Sequence, residues 1–598
     1  MTMIFPAPKR YLAGYSTKHV NVSALVSSCP IRFGAKVLIA TLNYRHDPAL
    51  AKQGFRIRFM GGCLVVDYAD LHGIRYAHLA INQLIQKNAV IREDIVIEDW
   101  PDFPTRSVLL DISRDRVPTM ASLKRLIDYF SSLRFNQLQL YTEHTFAYRN
   151  HEKVWANYSP ITAQEIKEID AYCRQLGIEL VANQACFGHM EKWLNHADYQ
   201  HLAEQTSGFL DQRGDFRPGA FGLNPISPQT ETFIDELLQE LLPNFSSDTI
   251  NINFDETMDL GAGASKSACE IFGKGKVYLT YLNKVISLAK SKGKQCQMFS
   301  DMLFRYPNLI DQLPDDLILL NWGYEPDHPF DAEHKQLSLF GYPFHVVVST
   351  NCFASVSGRW HAAVSHMRRA AKSAKRFGAE GYMVTEWGDM GHGQQYAMPI
   401  PAYAFGAAMA WGQEQQLDSN VIDAVKGFYP DATHTEAEAL IALQDIYLST
   451  GVKTPNCAFF GPVLFDQKSR RHIKHATGVP SHTLDIARKE LTMWKQKLAL
   501  LDASEMMPDL LWTIDALDIA CRIVQGYAEE GHRQVERFSS SRKDTLRHDV
   551  QQLLNTYRKL WAEYYRPGGL TQSSERLEYL LTLLEDIPVQ IDAKEAVL

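Results

Sequence analysis

From residue 106 the sequence alternates short apolar runs with amphipathic segments, and it does so eight times before residue 415. The runs are 106–112, 136–141, 179–183, 249–254, 295–300, 317–321, 345–349 and 381–385. Most are near-continuously apolar, the pattern of strands buried on both faces of a parallel sheet. Helix-patterned segments follow most of them, for example 119–131, 163–175, 276–290 and 359–376, and would cover that sheet. Eight strand–helix units in about 310 residues predict a (β/α)8 TIM barrel over 99–415. An open doubly wound sheet fits less well, because no G-x-G-x-x-G follows the first strand.

Two further regions flank the barrel, and the fold class is α/β overall. Residues 1–98 read as a small α/β domain, with strand patterns at 36–42, 55–60 and 63–68 and a helical pattern at 74–86. Prolines 101 and 104 in DWPDFPTR mark the join. Over 416–598 strand patterns become scarce. Helical periodicity at 483–501, 510–529 and 542–565 predicts an α-helical C-terminal domain packed on the barrel.

Charge and cysteine usage narrow the partners. With 61 Lys+Arg against 69 Asp+Glu the formal charge is −8, which disfavours nucleic acid as a general partner. Nine cysteines without a C-x-x-C pair fit free thiols in a reducing compartment. The N-terminal stretch MTMIFPAPKRYLAGYSTKHV lacks the apolar core of a signal peptide. The most apolar run, 400–412, is too short for a bilayer core of roughly 30 Å. These features predict a cytoplasmic protein with no membrane partner; a homo-oligomer is compatible with them.

In an α/β barrel the reacting groups lie at the C-terminal ends of the strands. Those positions hold Asp111 and Arg114, Glu143 and His144, Asn183 and His189, Asp255 and Glu256, Asp301, Trp322, Asn351, and Glu386, Trp387 and Asp389. Carboxylates interleaved with tryptophans suit a carbohydrate, whose apolar faces stack on indoles while its hydroxyls bond to charged groups. Trp322 fits either a pocket wall or core packing. The adjacent pair in INFDETMDLG, Asp255 and Glu256, closes an apolar run; proximity and partial burial are expected to raise at least one of the two pKa values. A raised carboxyl is what a glycosidase needs to protonate a leaving oxygen near neutral pH. A solvated loop or helix N-terminus accommodates the same pair. The GAGAS run at 261–265 lacks a following Lys-Ser and reads as a flexible loop rather than a phosphate cradle, and RRHIKH at 470–475 reads as a solvated face.

NFDETMDLG resembles the catalytic Asp-Glu segment of glycoside hydrolase family 20, the β-N-acetylhexosaminidases. FPTRSVLLDISR (103–114) is similar to that family's first barrel strand, which puts Arg106 in the place of its sugar-binding arginine. GIELVANQACFGHMEKW (177–193) resembles the third strand and its Gly-His turn, placing His189 at the active-site histidine. TEWGDMGH (385–392) resembles the last strand, with Trp387 and Asp389 holding the sugar. HGIRYAHLAINQLIQ (72–86) resembles a helix of the small domain that precedes the barrel. The resemblance spans about residues 50 to 410 in matching order. It departs where Asn251-Ile-Asn-Phe replaces the usual H-x-G-G before Asp255-Glu256, at Asn183-Gln184, and at 138–149, features closer to an intracellular, hexosaminidase D-like branch.

The resemblance implies an exo-acting, retaining β-N-acetylhexosaminidase for terminal GlcNAc or GalNAc, with no cofactor and no metal. In the implied substrate-assisted mechanism Glu256 is the acid/base, the substrate's 2-acetamido oxygen is the nucleophile, and Asp255 orients the acetamido group. Arg106, Glu143, His144, His189, Asp301, Trp322, Trp387 and Asp389 are the implied or candidate substrate contacts. Three alternatives compete. One is another acetamido-assisted enzyme, an O-GlcNAc hydrolase or a β-N-acetylgalactosaminidase. The others are a metal-dependent hydrolase using His144, His189, His392 and Asp255, and a non-catalytic sugar-binding barrel.

Overall fold

A computed structural model of the chain describes residues 4–12, 15–21, 31–33, 36–38, 42–60, 63–87, 90–92, 94–211, 214–412, 417–470, 473–476 and 478–585. Eight parallel strands close into a barrel in chain order: Thr105–Asp111, Gln137–Tyr141, Glu179–Asn183, Thr249–Asn251, Gln295–Phe299, Ile318–Trp322, Phe344–Ser349 and Gly381–Glu386. The last pairs with the first, in register from Thr105↔Gly381 to Leu110↔Glu386. Seven strands agree with the apolar runs to within a residue or so at each end. The fourth stops at Asn251 instead of 254. Asn253 and Phe254 have φ of +62° and +69°, a left-handed backbone that cannot continue a strand, and the Asn253 N–H turns back onto Asn251 Oδ1 at 2.9 Å.

That turn sits on a polar layer inside the barrel. Gln139 Nε2 donates to Gln297 Oε1 at 2.7 Å, while Asn183 and Asn251 both donate to Gln139 Oε1, at 3.0 and 2.9 Å. Asn253 Nδ2 donates to Asn183 Oδ1 at 2.9 Å. All five amides are buried, and a connected network in low dielectric stiffens the strand ends it joins. Asn183 and Asn251, two positions where the sequence leaves the family pattern, are therefore partners in one layer.

Helices follow the strands as their periodicity predicts. Thr119 caps Met120–Ser132 through the Ser122 N–H, and Thr162 with Glu165 forms a capping box on Ala163–Gln175. Every residue of the apolar run Ile400–Trp411 is buried in one helix, the signature of an interior helix apolar on all sides. No helix among the described residues is long and apolar enough to cross a membrane.

The N-terminal sheet runs in the order Arg10–Leu12, Val96–Asp99, Phe55–Met60, Cys63–Tyr68, Leu42–His46, and the helix Leu71–Gln86 packs against it. Of the strand pattern at 36–42, residues 39–41 lie outside the described residues. This unit is bolted to the barrel floor. Arg134 pairs with Asp99 at 2.7 Å with both side chains fully buried, and Trp411 donates its indole N–H to the same carboxyl at 2.9 Å. A buried pair of this kind is worth little against an apolar replacement, but losing one partner strands a buried charge.

Arg106 belongs to this junction and not to the site expected for it. Its guanidinium donates to Gln53 Oε1 (2.9 Å), the carbonyls of Phe103 (2.7 Å) and Arg134 (2.8 Å), and the Tyr76 hydroxyl. It lies over the Tyr76 and Trp411 rings, at 5.2 and 5.1 Å. Arg106 is the second residue of its strand, so at about 3.3 Å per residue it stands roughly 16 Å below Asp111 at the other end.

Beyond the barrel, helices Ser481–Leu498, Met507–Glu529, Ser540–Tyr564 and Leu570–Leu583 dominate the chain. They pack on the barrel through a Tyr396–Tyr564 stack at 4.3 Å and the Ala397 N–H on Asp509 Oδ2 at 2.9 Å. The expected division at 415/416 lies outside the described residues, as do Cys29 and residues 471 and 472 of the basic cluster.

Candidate active site

The C-terminal ends of the barrel strands enclose a cavity of about 420 Å³. Asp255 and Glu256 enter it from the turn after the fourth strand, with Glu256 itself at φ +47°. The Asp301 carboxylate pins this turn by accepting the Glu256 N–H at 3.1 Å. Opposite, the third-strand loop brings His189, also left-handed at φ +61°. The preceding Gly188 sits in a tight space: a Cβ there would lie 3.0 Å from the Asp255 carbonyl oxygen and 3.3 Å from the Phe221 ring. His189 Nε2 stands 3.4 Å from Asp255 Oδ2 and 3.7 Å from Glu256 Oε2.

Burial alone would lower the His189 pKa, but the Asp255 charge beside it outweighs burial and pushes the imidazole up to about 9. The linkage has a definite sign. Below the ordinary value of 6.5 folded and unfolded chains both hold the proton, and the stabilisation is fully present. From 6.5 to about 9 only the folded chain holds it, so stability falls as pH rises and the contribution is gone above 9. His189→Gln is expected to flatten the fall in Tm measured by calorimetry across that window; an unchanged slope would place the charge elsewhere.

Arg114 forms the second pole. Its Nη1 meets Asp111 Oδ2 at 3.1 Å, its Nε meets Glu143 Oε1 at 3.1 Å, and its Nη2 reaches His189 Nδ1 at 3.3 Å. The guanidinium lies over the rings of Tyr141 (4.6 Å) and Trp387 (5.4 Å). Asp111 is itself oriented by the N–H groups of Ser113 and Gly388, both at 2.9 Å. Burial drives Glu143 up to about 7 despite Arg114, and burial with the Asp255 charge drives Asp301 up to about 7.

Aromatic rings make the remaining wall. Trp322 and Tyr324 stack at 5.2 Å, and Trp387 donates its indole N–H to the Tyr324 hydroxyl at 3.0 Å. Asp389 and Met390 border the same cavity, which also receives Asp211 and Arg217 from a short hairpin and Pro455, Asn456 and Cys457 from beyond the barrel.

Of the expected site residues, the structure gathers Asp255, Glu256, His189, Trp322, Trp387 and Asp389 around one cavity. Glu143 and Asp301 stand behind its wall, holding Arg114 and the Glu256 turn. Arg106 is remote; Arg114, just past the mouth end of the same strand, reaches the cavity, as does Arg217 from the hairpin. His144 is also displaced. It is fully buried with its ring edge-on to Tyr158 at 4.3 Å, and burial holds it well below the usual histidine range. The residue after Glu143 points to the other side of the turn, which turns His144 away from the cavity. His392 binds the Arg114 carbonyl at 2.6 Å, so the histidines of the metal reading are dispersed. Among the described residues no group of three or more His, Cys, Asp and Glu could hold a metal ion.

Tyr324, Asp211, Arg217 and Asn456 were not anticipated. Tyr324 lies two residues past Trp322 in NWGYEP and was findable by extending the strand-end list. The other three come from an inserted hairpin and from a loop distant in sequence, which carry no local signal. The GAGAS run is a cradle after all, but for an internal anion: the Glu204 carboxylate accepts the N–H groups of Gly261 (3.1 Å), Gly263 (2.9 Å) and Ser265 (3.1 Å).

The catalytic-domain model of glycosyl hydrolase family 20 matches residues 103–353. The matched residues hold the first seven of the eight barrel strands. Relatives of this region are found among β-hexosaminidases. The α subunit of β-hexosaminidase from Bos taurus is 26% identical over 243 residues, covering 37% of this chain and 43% of that protein. A β-hexosaminidase from Vibrio furnissii is 24% identical over 265 residues, covering 39% and 42%. The chain thus spans less than half the length of these relatives. An exo-β-N-acetylglucosaminidase from Vibrio harveyi superposes with a TM-score of 0.56 at 13% identity, over 74% of this chain and 78% of that one. A chitobiase from Flavobacterium johnsoniae gives 0.57 at 15% identity, over 97% of this chain and 99% of that one, so its fold likeness extends through the helical region.

Proposed function

We propose that this protein is an exo-β-N-acetylhexosaminidase that removes terminal β-linked GlcNAc or GalNAc with retention of configuration. The observation that carries the reading is the Asp255–Glu256 pair, presented by a strained turn to a cavity of about 420 Å³ whose other walls are indoles and a guanidinium. A cavity of that size suits one sugar ring with its acetamido arm. Stacking on Trp322 and Trp387 would take the apolar faces, and Arg114 and Asp389 the hydroxyls.

In this mechanism Glu256 gives its proton to the glycosidic oxygen while the substrate's acetamido carbonyl oxygen attacks the anomeric carbon. The C1–O bond breaks and an oxazolinium ion forms. Asp255 accepts the acetamido N–H and stabilises the positive charge that develops on that group. Glu256, now a carboxylate, takes a proton from water, which opens the ring and restores the β-hemiacetal. Adjacent carboxylates suffice because the nucleophile is the substrate's own. No step calls for a metal or cofactor.

The reading extends to a cytoplasmic, hexosaminidase D-like enzyme, supported by free thiols at Cys63, Cys173, Cys186, Cys269, Cys296, Cys352 and Cys521. The test is release of p-nitrophenol from the β-GlcNAc and β-GalNAc glycosides, with the product anomer followed by NMR. First-formed β-hemiacetal is the expected result. Turnover of neither glycoside, or first-formed α product, would sink the proposal.

A further inference from the structure

The helical region reaches into the barrel mouth at one point. The segment 454–457 follows the short helix Ile446–Ser449, and its residues Pro455, Asn456 and Cys457 line the cavity with Tyr324 and Trp387. Hydrogen bonds to two barrel loops hold the segment there. The Asn456 N–H donates to Glu325 Oε1 at 2.7 Å. Glu325 is in turn ion-paired at 2.7 Å to the buried Arg359. The Ala458 N–H donates to the Ala354 carbonyl at 3.3 Å, and Thr454 and Cys457 close a β-bridge across the turn. Glu325 and Ala354 belong to the loops after the sixth and seventh strands, so the segment is docked on the barrel's own catalytic face.

Within this clamp the backbone of Asn456 is left-handed, at φ +58°. Its side-chain amide has no hydrogen-bond partner among the described residues, and its Oδ1 is shielded from solvent. An acceptor oxygen deprived of water and of protein partners costs free energy until something pairs with it. A left-handed backbone and an unpaired acceptor together, docked at a cavity wall, point to a position kept for ligand rather than for stability.

We infer that Asn456 is a substrate-recognition residue, supplied in cis by the helical region, whose side-chain amide pairs with a polar substituent of the bound amino sugar. The inference rests on the proposed hexosaminidase reading and adds a contact from outside the matched catalytic domain. Glu325 is its positioning residue: it fixes the Asn456 backbone and touches the ligand only through it. A sugar hydroxyl can both donate to Oδ1 and accept from Nδ2, which matches the two unused functions of the amide.

The experiment compares wild type with Asn456→Gly and Asn456→Asp in the full chain, by turnover of both p-nitrophenyl glycosides and by calorimetric binding of free GlcNAc and GalNAc. Glycine keeps the left-handed backbone without strain, so Asn456→Gly removes the contact and not the loop. The expected result is about a tenfold rise in KM and in the Kd of the preferred sugar, with kcat within about threefold and Tm not lowered. Asn456→Asp, which retains an acceptor, is expected to fall between the two. Glu325→Gln should raise KM in the same direction through a less fixed loop.

Wild-type turnover with Asn456→Gly unchanged in KM and Kd overturns this inference and leaves the hexosaminidase reading intact. Sugar binding without turnover in wild type overturns the catalytic reading, and the Kd ratio then still decides for or against Asn456. Neither binding nor turnover of either sugar overturns both.

Discussion

Glu256→Gln is expected to lower kcat for p-nitrophenyl β-glycosides by about 10²–10⁴-fold, the range that loss of a positioned general acid produces. The change is isosteric, so KM and Tm should stay close to wild type. Glu256 is the more solvent-accessible of the adjacent carboxyls, at 37% side-chain exposure against 13% for Asp255. On the proposed mechanism it is thus the one free to exchange a proton with leaving group and water, while Asp255 lies beside His189. The loss should be smaller for aglycones with good leaving groups, because they need less protonation. A mutant retaining full activity on both glycosides would move the acid to another carboxyl, with Asp301 the next candidate because its pKa is raised to about 7.

The second large effect is on stability. Arg114→Met is expected to cost about 3–5 kcal/mol, the range for removing one partner from a buried charge cluster. Asp111 is fully buried and Glu143 nearly so, and each depends on the same guanidinium at 3.1 Å. Removing it leaves two carboxylates facing an apolar thioether, and Glu143, already at about 7, is pushed further toward its neutral form. Part of the loss should return in the double mutant Arg114→Met/Glu143→Gln, where one stranded charge is absent; urea unfolding of the four-member cycle measures that coupling. Substrate affinity should not return with it, because the guanidinium itself is the proposed hydroxyl ligand. Additive single effects would mean that Arg114 and Glu143 act independently, against the geometry.

The two arginines of the first strand show where sequence reading stops. Both stand in one motif, FPTRSVLLDISR, and resemblance favoured Arg106, whereas Arg114 appeared only in the inventory of strand ends. Strand direction separates them: an inventory of C-terminal strand ends contains Arg114 and excludes Arg106 without any structure. His144 is a different case. It satisfies the strand-end rule but faces Tyr158, and the side a side chain takes after a strand depends on turn geometry that one sequence does not specify. The fourth strand was overextended because Ile252 and Phe254 are apolar, yet they are buried from a left-handed turn rather than a strand.

What the sequence alone determined is the eight-fold alternation, hence the barrel, and the placing of Asp255 and Glu256 just past the end of a strand. Both depend on local periodicity and on the direction of parallel strands, which every residue in a run reports. Tertiary structure alone decided which charges pair across the cavity, that the GAGAS cradle already holds the Glu204 carboxylate, and that residues 455–457 reach the barrel mouth. Those facts arise from contacts between segments tens to hundreds of residues apart. Such contacts are selected by packing and by satisfaction of buried polar groups, and they leave no periodic trace along the chain.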